Sequence, residues 1–386
     1  MLDRRGFLKT VGAGGLLALM GAKPSASVPT IAISPLPVRW PHYVDTIAID
    51  GSSGLDLEWL EEGDADYARE LENARACGQA AIMVTIAPQG RYWLDDDAFH
   101  RAVSKLDFWH AVAGKHSDRL LLIDRASDLR RAHGEHRLGL IPWFQGSEPI
   151  GEHLERVAMF RERGVRVVQL THNRRNLVGD GAQEPGNAGL SNFGHQLVEA
   201  LNAERIVVDL AHGSQRTIAE GIAASKAPML ISHTGCRALA DLPRNTGDAE
   251  LRALAGRGGV AGIIFWPYLR TDTQPMAIDV IHHIEHAINV AGEDHVGIGT
   301  DGGVSPIQRT PRFERDNREW VRASKADNIF ASGRPDDLYT FIPDLNVVNR
   351  FEALGAMLSA RGHSDARIDK ILGGNFARVF REVWGA

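Results

Sequence analysis

Short apolar runs alternate with longer segments of helical character along most of the chain. Eight of these runs have the length and the apolar content of buried parallel strands: they lie at 44–49, 81–86, 138–144, 166–170, 206–210, 228–232, 260–265 and 296–299. Segments with a helical pattern separate them, at 57–77, 96–115, 153–163, 192–203, 214–227, 248–255 and 275–291. The pattern therefore predicts a series of eight βα units.

Such a series favours a closed (β/α)8 barrel, also called a TIM barrel, over an open doubly wound sheet. No glycine-rich nucleotide-binding fingerprint follows the first strand. The run at 120–123 is predicted to be an accessory strand. Beyond the eighth strand, we expect a polar loop across the barrel mouth at 301–335 and two closing helices at 347–361 and 365–383. A separate small domain is the alternative for this tail.

The first 27 residues have the character of a targeting segment. Residues 3–9, with the sequence DRRGFLK, resemble a twin-arginine export signal, and a short Gly-rich apolar run follows at 11–22. A membrane anchor is the alternative, but the apolar run is short for a bilayer span. We therefore expect an export signal at 1–27, secretion by the twin-arginine machinery to the periplasm or beyond, and a single barrel domain at 28–386.

Composition excludes some partners. The net charge of −6 and the absence of a basic stripe with interleaved aromatic residues argue against nucleic-acid binding. Cys77 and Cys236 are too few for a disulfide framework, although one bridge between them stays open.

Two of the predicted strands are followed closely by a histidine, His212 after 206–210 and His233 after 228–232. One helix fits between them, so the two strands should be parallel neighbours and both imidazoles should lie at the carboxyl end of the barrel. Paired imidazoles at this end indicate metal ligands. With Asp301, which follows the eighth strand, they could hold one Zn²⁺ with an open position for water. The alternative is that each histidine only caps its strand.

Two further residues at the same end have side chains suited to substrate binding. His172, after the fourth strand, could polarise a carbonyl or stabilise an oxyanion, or it could bond the loop backbone. Arg244 could clamp a carboxylate with two hydrogen bonds, or it could pair with Asp248.

In these stretches the sequence resembles the membrane (renal) dipeptidase family of zinc metallopeptidases. The resemblance extends from about residue 44 to residue 383. It is carried in order by QLTHN (169–173), GLSNFG (189–194), VVDLAH (207–212), SHTGCRAL (232–239), PRN (243–245), VGIGTDGG (296–303) and ILGGNFARVF (371–380). It implies a (β/α)8 barrel with a two-zinc site that cleaves dipeptides, and a homodimer.

The resemblance also implies roles for single residues. His212 and His233 correspond to the ligands of one zinc, and Asp301 to an aspartate at the other zinc that also handles the proton. His172 corresponds to a histidine that contacts the substrate, and Arg244 to the arginine that binds the terminal carboxylate. The implied catalytic residues are therefore Asp301 and His172.

Three ligand positions depart from the family pattern. The first strand of the family ends in Asp-Gly-His-x-Asp, whereas this chain has Ser52 and Gly54 at the histidine and the second aspartate. Gln145 stands where the family has a glutamate that bridges both metals, and its amide oxygen is only a weak ligand. We therefore expect about one Zn²⁺ per chain and no ion at the second site, unless a nearby acid substitutes: Asp50, Asp56 or Glu148.

Two functions from different classes are consistent with these residues. The first is a zinc-dependent hydrolase that cleaves a dipeptide or related small amide with metal-activated water. The second is a barrel that has lost hydrolysis and serves as a periplasmic binding or accessory protein. A third variant is an enzyme that acts in the maturation of a peptide-derived metabolite.

Overall fold

The computed structural model describes residues 39–87, 97–326 and 334–385, so the predicted export signal lies outside the described residues. Ten strands form one sheet, and all neighbouring strands in it are parallel. They are β1 (Ile49–Gly54), β2 (Ala81–Ala87), β3 (Leu120–Leu122), β4 (Leu138–Phe144), β5 (Val167–Gln169), β6 (Val207–Asp209), β7 (Leu230–Thr234), β8 (Val260–Ile263), β9 (Val296–Ile298) and β10 (Gly302–Gly303).

The sheet curls into the predicted (β/α)8 barrel. Its strand order is β10-β1-β2-β4-β5-β6-β7-β8-β9, and β3 pairs with β4 as the expected accessory strand. β9 pairs with β8, whereas β10 pairs with β1 through Ser53 opposite Gly302. Because only residues 299–301 separate β9 from β10, the two segments together act as the eighth barrel strand.

Helices and short 3₁₀ turns surround the barrel. The α-helices are α1 (Ala65–Ala76), α2 (Asp97–Lys115), α3 (Ser127–Gly134), α4 (Glu155–Glu162), α5 (Asn192–Ala203), α6 (Gln215–Ala224), α7 (Asp248–Gly256), α8 (Ala277–Ala291), α9 (Pro311–Ala326), α10 (Arg350–Ala360), α11 (Asp365–Asp369) and α12 (Asn375–Trp384). A π-helical turn, Lys370–Gly374, separates α11 from α12. The 3₁₀ turns are Pro41–Asp45, Asp56–Trp59, Pro267–Leu269, Glu293–His295 and Pro343–Leu345.

The predicted position of the first strand, 44–49, is wrong, because the observed strand begins where the predicted one ends. Residues 44 and 45 belong to the 3₁₀ turn Pro41–Asp45, and the side chain of Val44 is 68% exposed. The strand instead runs from Ile49 through the polar sequence DGSSG. A hydrophobicity pattern misses this strand because its polar side chains are buried at the barrel mouth, where the tertiary structure supplies their hydrogen-bond partners.

Three other segments differ from the prediction in kind or extent. The segment 301–335 contains strand β10 and helix α9 rather than a loop, although its residues 327–333 lie outside the described part. The predicted helix 57–77 is divided into a 3₁₀ turn and α1. Strand β7 continues through His233 to Thr234, so this histidine lies within its strand rather than after it.

One apolar cluster fills the amino-terminal end of the barrel, and the candidate site lies at the carboxyl-terminal end. Phe376 and Phe380 of α12 pack there against inward-facing residues of the strands, among them Ile49 and Val207. The fit is close: a Cβ added at Gly297 would lie 2.7 Å from the Phe376 ring. Helix α12 therefore seals the amino-terminal end of the barrel.

The two cysteines do not form the bridge that the sequence left open. Cys77 and Cys236 are both buried free thiols. Burial raises the pKa of Cys77 to about 11 and the pKa of Cys236 to about 12, so neither thiol is a reactive thiolate at neutral pH. Among the described residues, no helix combines the length and the apolar character needed to cross a bilayer.

Candidate active site

The carboxyl end of the barrel brings the two predicted histidine ligands into contact. The Nε2 atoms of His212 and His233 lie 2.9 Å apart, and both side chains are buried. The other ring nitrogens have partners as well, since Nδ1 of His212 lies 2.7 Å from Oδ1 of Asn173 and Nδ1 of His233 lies 2.8 Å from Oγ of Ser232. An amide oxygen only accepts hydrogen bonds, so His212 carries its proton on Nδ1 and presents a lone pair on Nε2.

Backbone strain marks the same place. His212 has φ of 60° and Asp301 has φ of 55°, both in the left-handed region that residues other than glycine seldom adopt. Strain of this kind persists where the surrounding structure enforces it and is concentrated at functional sites. The backbone at Gly181 also lies close to the backbone at His172. A Cβ at Gly181 would be 1.9 Å from the carbonyl oxygen of His172, so only glycine fits there.

The electrostatics of the site keep its histidines neutral. Burial lowers the pKa of His212 and of His233 well below the usual value, and the positive charge of Arg244 lowers both further. The same two causes lower the pKa of His172 to about 3. Three neutral imidazoles thus share one end of the barrel, and neutral imidazole is the form that binds metal ions.

Asp301 lies beside the histidine pair. Its Oδ1 is 3.9 Å from Nε2 of His233, 3.4 Å from Nε2 of Gln145 and 3.2 Å from Oγ of Ser52. The amide nitrogen of Gln145 is also 3.4 Å from Nε2 of His233. Gln145 and Ser52 therefore face the carboxylate with neutral hydrogen-bond donors.

The three acids considered as substitute ligands have other surroundings. Asp50 accepts hydrogen bonds from the backbone N–H and the hydroxyl of Thr300, and burial raises its pKa to about 7. It thereby holds the residue that precedes Asp301. Glu148 accepts a hydrogen bond from Asn176, and the carboxylate of Asp56 lies near Gly303.

His172 and Arg244 line the same end of the barrel. The ring of His172 stacks on His212 with centroids 4.0 Å apart, which differs from the hydrogen bond to the loop backbone considered above. Arg244 is 5% exposed and donates from Nη2 to the carbonyl oxygen of His233, at 2.8 Å, while its buried Nε has no hydrogen-bond partner within the described chain. The alternative pairing with Asp248 is wrong, because that carboxylate pairs with His286 and Arg252.

Sequence reasoning missed two aromatic residues of this site. Trp266 donates from Nε1 to the carbonyl oxygen of Asp301, at 2.7 Å, and stacks on Tyr268 with ring centroids 5.9 Å apart. The guanidinium of Arg244 lies 5.9 Å from the Tyr268 ring centroid. Both aromatic residues follow β8, so examining the end of that strand, as was done for its neighbours, would have found them.

Sequence reasoning also missed three polar residues of the site. Asn173, Asp209 and Ser232 contact the histidine pair directly or through one another. Each stands within three residues of a histidine that the sequence did single out. That proximity is the signal by which they could have been found.

Comparison with known proteins places the chain in a family. Residues 40–310 match the family described as Membrane dipeptidase (Peptidase family M19). The protein is a member of the membrane dipeptidase family. This confirms the resemblance inferred from the sequence motifs and makes the protein a metallopeptidase of the dipeptidase type.

Individual relatives of this family member are distant in sequence. The chain is 26% identical over 329 residues to Dipeptidase tcpJ of Claviceps purpurea, which covers 83% of this chain and 69% of that protein. It is 29% identical over 290 residues to Dipeptidase verJ of Clonostachys rogersoniana, which covers 74% of this chain and 66% of that protein. The crystal structure of an amidohydrolase from Pseudomonas aeruginosa is 28% identical, with a TM-score of 0.74, and the match covers 89% of this chain and 98% of that one.

Membership of a metallopeptidase family implies a metal cofactor, and the chemistry of the donors fits one ion. Two neutral imidazoles and the carboxylate of Asp301 are suitable ligands for a borderline dication such as zinc. Two nitrogen ligands of a tetrahedral zinc are roughly 3.3 Å apart, so the two Nε2 atoms at 2.9 Å must separate slightly to admit it. Among the described residues, no group of three or more His, Cys, Asp or Glu side chains has the arrangement of a metal site.

A second ion does not fit the donors present. At the positions where the sequence departs from the family pattern, Ser52 and Gln145 contribute only neutral groups, which face Asp301 as donors. Gly54 contributes no side chain, and a Cβ at that position would meet nothing within 4 Å. These three positions therefore offer a second cation neither a charged ligand nor an imidazole.

Proposed function

We propose that this family member hydrolyses a dipeptide or a related small amide, using one zinc ion held by His212, His233 and Asp301. The observation that carries the proposal is the convergence of the two histidine Nε2 atoms beside the Asp301 carboxylate. Zinc bound at such a site supplies an activated water molecule and polarises an amide carbonyl.

The remaining groups of the site suit the other requirements of amide hydrolysis. Asp301 is partly open to solvent, with 16% of its side chain exposed, so it can receive a proton from water and pass it to the leaving amine. Ser52 and Gln145 hold its carboxylate in place. His172, neutral and stacked on His212, can donate a hydrogen bond to the oxygen on which negative charge develops.

Arg244 indicates that the substrate carries a negative charge. A buried guanidinium with an unsatisfied Nε is costly unless an anion pairs with it. A free carboxylate would satisfy this group with charge-assisted hydrogen bonds. The proposed substrate is therefore a small amide that carries a carboxylate, as a dipeptide does.

The experiment that tests the proposal counts metal and measures hydrolysis on the same preparations. The protein is purified without chelators, its zinc content per chain is determined by elemental analysis, and a panel of dipeptides and N-acyl amino acids is assayed. We expect about one zinc per chain, with metal and hydrolysis both lost in His233→Ala. His195→Ala, a substitution at an exposed histidine of α5, is the matched control and should change neither.

Two results would contradict the one-zinc hydrolase. Hydrolysis that persists in His233→Ala would show that this residue is not needed. Near-zero zinc with no turnover across the panel would favour the second function, a binding or accessory protein of the periplasm. The neutral residues Ser52 and Gln145 at ligand positions are the observation that supports this second candidate.

We further propose that residues 1–27 direct export through the twin-arginine machinery and that the mature barrel functions in the periplasm as a homodimer. The arginine pair of the DRRGFLK sequence supports the first part. Cell fractionation of the wild-type chain and of a variant with Arg4→Lys and Arg5→Lys tests it, since the variant should remain in the cytoplasm. Sedimentation of the exported protein tests the dimer.

A further inference from the structure

A buried carboxylate next to the histidine pair accepts four hydrogen bonds. Oδ1 of Asp209 accepts from the backbone N–H groups of Ala211, at 3.0 Å, and of Ser232, at 2.9 Å. Its Oδ2 accepts from the hydroxyl of Ser232, at 2.6 Å, and from the indole N–H of Trp143, at 3.2 Å. Asp209 is fully buried, and these four donors occupy the lone-pair sites that a carboxylate offers.

The direction of these hydrogen bonds determines the direction of the hydrogen bond between Ser232 and His233. Three of the four partners of Asp209 are N–H groups, which can only donate. The hydroxyl of Ser232 has a single hydrogen, which is directed to Asp209, so its oxygen is left to accept. The group that donates to it is Nδ1–H of His233, at 2.8 Å. The proton of this neutral imidazole is therefore on Nδ1, and Nε2 carries the lone pair. This lone pair and the one on Nε2 of His212 face each other across 2.9 Å, so they repel each other unless a cation between them accepts both.

From this chain of hydrogen bonds we propose that Asp209 and Ser232 are positioning residues, which hold His233 as its Nδ1–H tautomer with the Nε2 lone pair directed toward His212. In the other tautomer, the N–H on Nε2 would occupy the place of the cation. The part of the inference that concerns cation affinity rests on the proposed function. The tautomer itself does not depend on it.

The network also has a purely structural part, which must be separated from the proposed role. Strands β6 and β7 pair through one residue pair, Asp209 opposite Leu230. The hydrogen bond from the Ser232 backbone N–H to Oδ1 of Asp209 fastens these strand ends together. Ser232→Ala keeps that bond and removes only the hydroxyl between Asp209 and His233, so it isolates the proposed role.

The first measurement determines the tautomer in the wild-type protein. The full mature chain, freed of metal, is labelled with [¹⁵N]histidine, and long-range ¹⁵N–¹H correlations distinguish Nδ1–H from Nε2–H rings. The chain has 16 histidines, so the signal of His233 is assigned by its loss in His233→Gln. We expect an Nδ1–H ring in the wild type. An Nε2–H ring would overturn the proposal, and this reading requires neither a stable Ser232 variant nor enzymatic activity.

The second measurement is the affinity for Zn²⁺, from competition with a chromophoric chelator in the absence of substrate. Loss of a partner that orients a ligating histidine typically weakens metal affinity about 10- to 100-fold, and we expect a loss in this range for Ser232→Ala. The matched control is Ser225→Ala, which removes another fully buried hydroxyl that bonds Ala227 O at the far end of α6. This variant should lose stability without losing affinity.

The outcomes separate this inference from the proposed function. Affinity of Ser232→Ala within twofold of the wild type would overturn the positioning role even if the enzyme hydrolyses dipeptides. Equal losses of affinity in Ser232→Ala and Ser225→Ala would overturn it too, because general destabilisation would then explain both. If the wild-type protein binds no Zn²⁺, the proposed function fails, while the tautomer measurement still tests whether His233 carries its proton on Nδ1, as the hydrogen bonds of Asp209 and Ser232 require.

Discussion

Arg244 donates a hydrogen bond from Nη2 to the backbone carbonyl oxygen of His233, over 2.8 Å. The residue proposed to bind the substrate carboxylate is thus attached to the strand that carries a proposed metal ligand. This contact uses one edge of the guanidinium and leaves its buried Nε to be paired. The proposed binding sites for the substrate carboxylate and for the cation are therefore linked through His233 of β7.

The first prediction concerns the charge of Arg244. Arg244→Gln removes the cation, and loss of a buried charge-assisted contact costs about 2–5 kcal/mol, so we expect KM to rise at least about 30-fold for substrates with a free carboxylate. The value of kcat should change much less, because the carboxylate takes no part in bond cleavage and its contact should contribute equally to binding of the substrate and of the transition state. Steady-state kinetics on a dipeptide, together with the zinc content of the variant, provide the measurement.

Arg237→Gln is the matched control. Arg237 belongs to the same loop, its side chain is 42% exposed, and it pairs with the exposed Asp241, so its loss should leave KM unchanged. If Arg244→Gln lowers kcat while KM stays constant, its role lies in the chemical step and not in binding the carboxylate.

The second prediction concerns the close approach of two loops. In Gly181→Ala, the new Cβ would lie 1.9 Å from the carbonyl oxygen of His172 and 2.3 Å from the carbonyl carbon of Asn173. Since the backbone must move, we expect a loss of about 1–3 kcal/mol in the free energy of unfolding and weaker Zn²⁺ binding, because Asn173 orients His212. Urea denaturation and chelator competition measure the two effects.

Gly114→Ala is the control for this substitution. Gly114 lies in helix α2, and a Cβ there would meet nothing within 4 Å. Alanine is favoured over glycine within helices by about 0.5–1 kcal/mol, so this variant should be slightly more stable. An unchanged midpoint and an unchanged Zn²⁺ affinity in Gly181→Ala would show that the loop adjusts without disturbing the histidines.

The third prediction concerns the pH dependence of stability. Nε2 of His42 lies 2.7 Å from Oδ2 of Asp369. The hydrogen bond to this carboxylate, followed by the negative charges of Asp369, Asp365 and Asp45, raises the pKa of His42 in the folded protein. The folded state then binds the proton more tightly than the unfolded chain, so the contribution of the pair is fully present below the unfolded pKa and disappears as the pH rises through the folded value.

His42→Gln should therefore lower the free energy of unfolding at pH 5.5 and have little effect at pH 9. The side chain is 37% exposed, so the effect should stay below about 1 kcal/mol. Urea titrations of both proteins at the two pH values are the measurement. The control is His110→Gln, the substitution of an exposed histidine. A loss that is the same at both pH values would show that the contact contributes without its charge.

The sequence by itself determined the barrel and the family, because both depend on local patterns. Apolar runs such as Leu138–Phe144 and the helical segment Asn192–Ala203 were located with their observed bounds. Buried parallel strands are apolar on both faces, so their composition reveals them. The candidate residues were also found in this way, since parallel strands place whatever follows them at one end of the barrel.

Only the tertiary structure decided how the polar groups pair. The buried strand Ile49–Gly54 was mistaken for a loop because its polar residues are satisfied by partners distant in the sequence, as Asp50 is by Thr300. The tautomer of His233 follows from Asp209, which precedes it by 24 positions in the chain but is joined to it through a single hydroxyl. Hydrophobic patterning is periodic along the chain, whereas a hydrogen bond depends on distance and direction in space, and these exist only once the chain has folded.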